Sequence, residues 1–166
     1  MEKNNRMKQK NLFHIIISTG FGSGYFPVAP GTAGAVLATA IWLGLSLVLP
    51  FYHLLIATAL LIFLFTFLGV WSSGIMENYW GKDPSKVVID EMVGVWIPLL
   101  AVNNENKHYL YYALAALLLF RLFDIFKPLG IRKVEAFKGG WGIMLDDILA
   151  GLYSLFILYG IKCFVG

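Results

Sequence analysis

The sequence predicts an all-α protein, a polytopic membrane helical bundle with about five membrane-embedded helices. Composition is the first observation, because 58% of the 166 residues are hydrophobic and 14% are charged, against about 25% charged residues in typical soluble domains. The mean hydropathy is +0.72. A soluble globule of this size would need more polar groups to cover its surface, so the excess apolar surface indicates a bilayer. The same apolar content excludes intrinsic disorder.

Two long apolar runs come first and are the second observation. Residues 33–49 and 51–71 flank Pro50, and the second run contains only His53 as a titratable group. A helix needs ~20 residues to cross a hydrocarbon core of ~30 Å. Both runs are therefore predicted to span the membrane as antiparallel helices, with a tight turn at Pro50.

Three further apolar runs each have acidic residues near one end. Residues 92–102 are too few to span alone at ~1.5 Å per residue, and residues 109–120 are similarly short. Residues 148–166 are predicted to form the final span. Each of these runs has carboxylates at one end, in three groups: Asp90 with Glu91, Asp124, and Asp146 with Asp147.

The distribution of positive charge predicts the orientation. With the basic tail of residues 1–11 in the cytoplasm, eleven of the thirteen Lys and Arg residues fall inside, and Lys107 and Lys162 fall outside. All three acidic groups then lie at the cytoplasmic ends of the helices. We expect one membrane-embedded domain over residues 1–166 that does not bind nucleic acid, and the sequence predicts no oligomeric state.

The three acidic groups are typical of a site for a hard cation. Adjacent carboxylates repel each other, and they stay ionised together when a cation compensates them. Oxygen ligands with almost no His or Cys nearby favour magnesium, ahead of calcium or manganese. The alternative is that these acids cap helix amino ends, which is worth ~0.3–1 kcal/mol each. The metal interpretation predicts ligands from all three groups: Asp90, Glu91, Asp124, Asp146 and Asp147.

Two cations flank the middle acid. Arg121, Asp124 and Lys127 are three residues apart and share one helical face, and Pro128 is predicted to end that helix. Cations beside a metal-binding carboxylate suit a phosphate ester. The alternative is a salt-bridge ladder within one helix.

A loop rich in glycine and proline precedes the first span, over residues 20–34. Thr32 is predicted to be the N-cap of the following helix. Gly31 and Thr32 at this helix start could then offer backbone N–H groups to an anion. The alternative is a simple turn with a cap. The glycine spacing matches neither a dinucleotide-binding nor a Walker A motif.

Other phosphatase chemistries lack their residues. Cys163 lies three residues from the end of the sequence with no arginine loop after it, which disfavours a thiol nucleophile. His14, His53 and His108 are scattered, and the last two fall on the outer face of the predicted topology. A histidine nucleophile is therefore also disfavoured.

Four segments together resemble the phosphatidylglycerophosphatase A family of bacterial lipid phosphatases. They are GFGSGYFPVAPGTAG (20–34), DPSKVVIDEMVGVWI (83–97), FRLFDIFKPLGIR (120–132) and KGGWGIMLDDILAG (138–151). The resemblance implies a magnesium-dependent enzyme of the bacterial cytoplasmic membrane. Its substrate would be the membrane phospholipid phosphatidylglycerophosphate, which it would convert to phosphatidylglycerol and phosphate.

These observations predict a site in which the five acids hold one or two magnesium ions and act as the catalytic residues. The phosphate would be bound by Gly31, Thr32, Arg121, Lys127 and Arg132. One carboxylate would serve as general base for water, or an aspartate would attack directly. Two other classes stay open, a small ion-coupled transporter and a non-catalytic membrane subunit. A transferase acting on nucleotide-linked lipids is a weaker third.

Overall fold

The computed structural model describes residues 12–82, 84–128, 130–134, 137 and 139–165, and these form a helical bundle. The predicted basic tail, residues 1–11, lies outside the described residues. No strand occurs in the described part of the chain, which confirms the all-α class. The helices are α1 (12–18), α2 (Pro30–Ser46), α3 (Phe51–Trp80), α4 (Ile89–Leu99), α5 (Tyr109–Phe126), α6 (Ile131–Val134) and α7 (Gly140–Val165).

Three of the described helices are long and apolar enough to cross a membrane: α3, α5, and α7 over Gly140–Phe164. Helix α2 is also apolar but has 17 residues. Helix α4 has 11 residues, so it is ~17 Å long and cannot cross a ~30 Å core. The predicted total of about five embedded helices includes α2 and α4, and it stays a prediction.

The short helix α4 lies at the centre of the bundle. All of its residues except Glu91 are buried, and it packs against α2, α3, α5 and α7. A helix that is apolar on all sides is stable in such a position. Gly94 allows the close approach, because a Cβ there would overlap the ring of Phe120 and lie 2.9 Å from the backbone oxygen of Asp147. Helix α4 thus brings its first turn, with Asp90 and Glu91, against α7.

Several helix boundaries differ from the predicted ones. The expectation that Thr32 is an N-cap was wrong, because α2 begins at Pro30 and its N-cap is Ala29. Proline is favoured at the first helical position, since its missing N–H would have no acceptor there. Helix α5 agrees with its prediction, because it continues to Phe126 and Arg121 and Asp124 lie within it. Helix α7 begins at Gly140, so Asp146 and Asp147 lie inside the helix.

The connections alternate between the two ends of the bundle. At one end, Asn104 donates from Nδ2 to the backbone oxygens of Ser46 and Leu49, at 2.9 Å each. Lys162 Nζ donates to the Ala101 oxygen at the same end, and Pro50 is the N-cap of α3, as expected for the predicted turn. At the other end lie the starts of α2 and α4, the last turns of α5 and the first turns of α7. The three acidic groups therefore share one end of the bundle.

Candidate active site

A cavity of about 320 Å³ opens at this end of the bundle. Residues from α2, α4, α5, α7 and the loop before α4 line it. All five acids predicted from the sequence are among the lining residues, together with Gly31, Arg121 and Lys127. Residues that are far apart in sequence thus meet in one chamber.

Three of the acids form a compact group. Glu91 of α4, Asp124 of α5 and Asp147 of α7 each offer a carboxylate oxygen, and these oxygens lie within 4.8 Å of one another. Asp147 is 3% exposed, and no described Lys or Arg is in ion-pair contact with it. A buried carboxylate facing two others needs a compensating cation to stay ionised. Hard oxygen ligands at this spacing fit a divalent cation such as magnesium.

Arg121 connects two members of this group. Its Nη1 forms an ion pair with Glu91 Oε2 and lies 2.7 Å from Asp124 Oδ2. The second contact is the predicted pair three residues apart on one helix, and the first joins α5 to α4. The side chains are largely buried, so this pair is weakly screened by solvent.

Lys127 reaches a different helix. It is the C-cap of α5, with a left-handed φ of 45°, and its Nζ lies 2.7 Å from Asp146 Oδ2 on α7. The helix ends just before Pro128, as predicted. Because Lys127 pairs with α7, the three charged residues of this segment are not a ladder within one helix.

Asp90 and Asp146 line the cavity but lie outside the group of three. Asp90 Oδ1 accepts the backbone N–H of Glu91 at 3.0 Å, which is a contact within the first turn of α4. Asp146 pairs with Lys127. The structure thus distinguishes three acids that face one another from two that have other partners, the Glu91 N–H for Asp90 and Lys127 for Asp146. The sequence did not predict this difference.

Burial is the main influence on the pKa of Glu91. Burial and, to a smaller extent, the neighbouring carboxylate of Asp124 raise the pKa of Glu91 to about 7, while Arg121 opposes the change. A bound divalent cation would favour the ionised carboxylate and lower this pKa.

The start of α2 forms one wall of the cavity. A Cβ at Gly31 would overlap Glu91 Oε1 and lie 3.3 Å from Arg121 Nη1. The N–H groups of Gly31 and Thr32 are in the first turn of the helix, where no intrahelical acceptor exists. Thr32 does not line the cavity, so its contribution would come from its backbone. Arg132 belongs to α6, and its side chain lies outside the described residues.

Sequence reasoning missed the loop before α4. Pro84, Ser85 and Val87 line the cavity, and Val88 donates its N–H to the oxygen of Ser18, 2.9 Å away. These residue types do not by themselves signal a site, because a loop serine is common on any surface. The signal that includes them is the segment 83–97, one of the four that carry the family resemblance. Only the packing of this loop against the α1 segment brings it to the cavity.

Fold and cavity together define a class: helical proteins with membrane-length segments and an acidic chamber, bordered by cations, at one end of the bundle. Residues 16–162 match the model of the family Phosphatidylglycerophosphatase A. The chain belongs to this family and is a phosphatase. This confirms the resemblance of the four segments, and it favours an enzyme over the transporter and the non-catalytic subunit.

Three relatives extend over nearly the whole chain. A Bacteroides thetaiotaomicron protein with the provisional name phosphatidylinositol-3-phosphatase is 55% identical over 96% of this chain and 100% of its own length. Phosphatidylglycerophosphatase A of Haemophilus influenzae is 37% identical, covering 98% of both chains. The Escherichia coli protein of that name is 35% identical over 93% of this chain and 86% of its own. No solved structure matches this chain.

Proposed function

We propose that the protein hydrolyses phosphatidylglycerophosphate to phosphatidylglycerol and inorganic phosphate, with magnesium as its cofactor. The observation that carries this proposal is the group of Glu91, Asp124 and Asp147 beside Arg121 in one cavity. The names of the H. influenzae and E. coli relatives support the substrate. The reaction would serve phospholipid biosynthesis.

Magnesium would be held by the three facing acids, with Asp90 and Asp146 as further ligands for a second ion. When bound, the metal supplies electrostatic stabilisation to the phosphoryl oxygens as charge develops on them. Asp147 fits this role best, because it is buried and has no described cationic side chain in contact.

The remaining residues of the cavity bind and orient the phosphate. Arg121 presents a planar guanidinium that can hold two phosphoryl oxygens. Lys127 adds a second positive charge, and the N–H groups of Gly31 and Thr32 add donors at the positive end of the α2 dipole. Arg132 is proposed as a third cation, on the resemblance alone.

The proton and bond changes allow two routes. In one, a carboxylate of the cavity accepts a proton from water, whose oxygen attacks phosphorus as the bond to the lipid oxygen breaks. In the other, an aspartate oxygen attacks phosphorus as the bond to the lipid oxygen breaks, and that oxygen leaves with a proton from a cavity carboxylic acid or from water. Water then hydrolyses the acyl phosphate, which releases inorganic phosphate and restores the aspartate. Acid quenching during turnover with radiolabelled substrate separates them, because only the second route leaves a hydroxylamine-labile phosphoprotein.

A 3-phosphoinositide is the second candidate substrate. It is favoured by the name of the B. thetaiotaomicron relative, which is 55% identical over the whole of its length. Both candidates are phosphate monoesters on a lipid headgroup, so the same acids and cations can act on either. They differ in the group that leaves, which is a glycerol hydroxyl in one and an inositol hydroxyl in the other.

Phosphate release from purified protein in detergent micelles tests the proposal. The panel contains phosphatidylglycerophosphate, phosphatidylinositol 3-phosphate and phosphatidic acid, each with magnesium and with a chelator. We expect the highest kcat/KM on phosphatidylglycerophosphate and no release with the chelator. A preference for the inositol lipid would show that a 3-phosphoinositide is the substrate. Full activity with the chelator would show that the reaction needs no magnesium.

We also propose that the cavity faces the cytoplasm at the inner leaflet of the bacterial cytoplasmic membrane, in a multi-pass topology. Arg121, Lys127, Lys82 and Lys86 lie at or near the cavity end of the described bundle. This agrees with the tendency of basic residues to stay in the cytoplasm. Basic residues there would also attract anionic lipid to the site.

A further inference from the structure

The segment before α2, residues 12–28, packs along α3 and moves into the apolar part of that helix. Near its start, the ring centroid of His14 lies 4.7 Å from that of Trp71. Seven residues later, the ring centroid of Phe21 lies 6.0 Å from that of Phe65. Phe65 precedes Trp71 by six residues, which is ~9 Å along a helix. Position 21 is therefore beside the apolar run of a helix that is long enough to cross a membrane.

The chain then turns back to the cavity end of the bundle. Residues 20–22 all have a positive φ, between 51° and 96°. A Cβ at Gly24 would overlap the backbone oxygen of Lys86, and Lys86 Nζ lies 5.6 Å from the ring centroid of Tyr25. Lys86 belongs to the loop before α4, and residues 29–31 line the cavity itself. The segment thus enters along α3, reverses near position 21 and leaves beside the cavity.

The reversal satisfies its own backbone hydrogen bonds. The N–H groups of residues 19–26 each donate to a backbone oxygen of the same segment, at 2.9–3.2 Å. The Thr19 hydroxyl donates to the Ile15 oxygen at 2.7 Å. The sequence from 11 to 76 contains no Asp, Glu, Lys or Arg. Such a segment can leave water at small cost, because few of its polar groups lose a partner.

The outer face of the reversal is apolar. Phe21, Tyr25, Phe26 and Val28 are each more than half exposed, and a contiguous apolar patch of this kind marks an interaction surface. Its position against the apolar run of α3 makes lipid the surrounding medium. Lys86 adds a positive charge beside the patch, which suits the headgroups of an anionic leaflet.

We propose that residues 12–28 are a re-entrant segment, whose reversal at residues 21–28 inserts into the cytoplasmic leaflet beside the cavity. The partner is the boundary between phospholipid headgroups and acyl chains, which apolar side chains of interfacial segments enter by ~5–10 Å. Since residues 29–31 follow directly and line the cavity, the inserted reversal holds the start of α2 at the level of the headgroups. The inference rests on the proposed orientation of the bundle and on no particular substrate.

Spin labels measure the depth of position 21. On a Cys163→Ser background in phospholipid vesicles, a nitroxide is attached to Phe21→Cys. Ser85→Cys in the exposed loop and Phe63→Cys on the exposed face of α3 are the references. Oxygen concentrates in the membrane and a nickel chelate in water. We expect the ratio of oxygen to chelate collisions at position 21 to lie above that at position 85 and to reach up to that at position 63.

Three results of the same measurement would overturn the proposal. A ratio at position 21 equal to that at position 85 would show that the reversal lies in water. A spectrum that is broadened at position 21, and sharpens on dilution with unlabelled protein, would show that a second copy of the chain covers the reversal. A low ratio at position 63 would overturn the membrane position of the bundle and the re-entrant segment with it.

Photolabelling tests the unsubstituted chain. Phosphatidylcholine with a diazirine in its acyl chain close to the glycerol ester is irradiated in vesicles that contain the wild-type protein. We expect adducts on residues 21–28 and on α3, and none on Ser85. Adducts on α3 with none on residues 21–28 would overturn the insertion. If residues 21–28 are labelled while the wild-type protein prefers another lipid phosphate, the proposed substrate fails and the re-entrant segment stands.

Discussion

The backbone of Gly31 lies against the carboxylate of Glu91, so closely that a Cβ at position 31 would overlap Oε1. This contact joins the start of α2 to the first turn of α4. It brings the first turn of α2 beside an acid that also pairs with Arg121. The contact explains why a residue without a side chain is needed in the first turn of α2.

Gly31→Ala should therefore damage the site without unfolding the bundle. The new methyl group must displace Glu91 from Arg121, and we expect phosphate release to fall about 100-fold, since small displacements of catalytic groups are costly. Gly44→Ala is the matched control, because Gly44 lies in the same helix and a Cβ added there would have nothing within 4 Å. Phosphate release and circular dichroism of both variants check this. A fully active Gly31→Ala protein would show that the start of α2 does not have to lie against Glu91 in the active cavity.

Asp147→Asn should separate stability from activity. Asparagine has no proton to lose, so the variant avoids the cost of burying a carboxyl group that is ionised in the unfolded chain and faces Glu91 and Asp124 in the folded protein. We therefore expect the metal-free variant to have a higher Tm than the wild type. Activity should fall about 1000-fold. Magnesium should raise the Tm of the wild type but not of the variant, because binding to the folded state stabilises it. Thermal melts with and without magnesium measure this, and Glu105→Gln at the opposite end is the control. A variant that still responds to magnesium would exclude Asp147 as a ligand.

Arg121→Lys should not be a conservative change. Lysine keeps the positive charge but cannot hold Glu91 and Asp124 through one planar group. We expect kcat to fall about tenfold or more, with a smaller change in KM, because the lost contacts matter most as charge develops on phosphate. Steady-state kinetics on micellar substrate measure both constants. A change in KM alone would show that Arg121 only binds substrate.

Lys127 and Asp146 should be energetically coupled. Their charged atoms lie 2.7 Å apart on two helices, and both side chains are mostly buried. A double-mutant cycle with Lys127→Met and Asp146→Asn should give a coupling free energy of about 1 kcal/mol or more. Chemical denaturation in detergent of the four proteins measures it. Additive effects on the free energy of unfolding would mean that the pair does not stabilise the junction of α5 and α7.

The orientation of the bundle can be tested with single cysteines. On a Cys163→Ser background, Ser85→Cys lies by the cavity and Asn106→Cys lies at the opposite end, and both native residues are exposed. A maleimide that cannot cross membranes should label Asn106→Cys in intact spheroplasts and Ser85→Cys only after lysis. The reverse pattern would place the cavity outside the cytoplasm.

The sequence by itself determined the helical class, the turn at Pro50 and the grouping of the five acids with Arg121 and Lys127. These follow from local composition and spacing, and all five acids line one cavity. It did not determine that α2 starts at Pro30, because Thr32 and the Pro30–Gly31 pair are both acceptable helix starts by local rules. Nor did it locate the loop at Ser85, whose position depends on contacts with a distant segment.

Only the tertiary structure decided which acids face one another. Asp146 and Asp147 are adjacent in sequence and equally acidic, yet Asp146 points to Lys127 while Asp147 lies near Glu91 and Asp124. Successive residues on a helix point ~100° apart, so the choice between them depends on how α7 is rotated against α4. That rotation is fixed by close packing at Gly94 and Gly151, a contact between residues that are far apart in the chain.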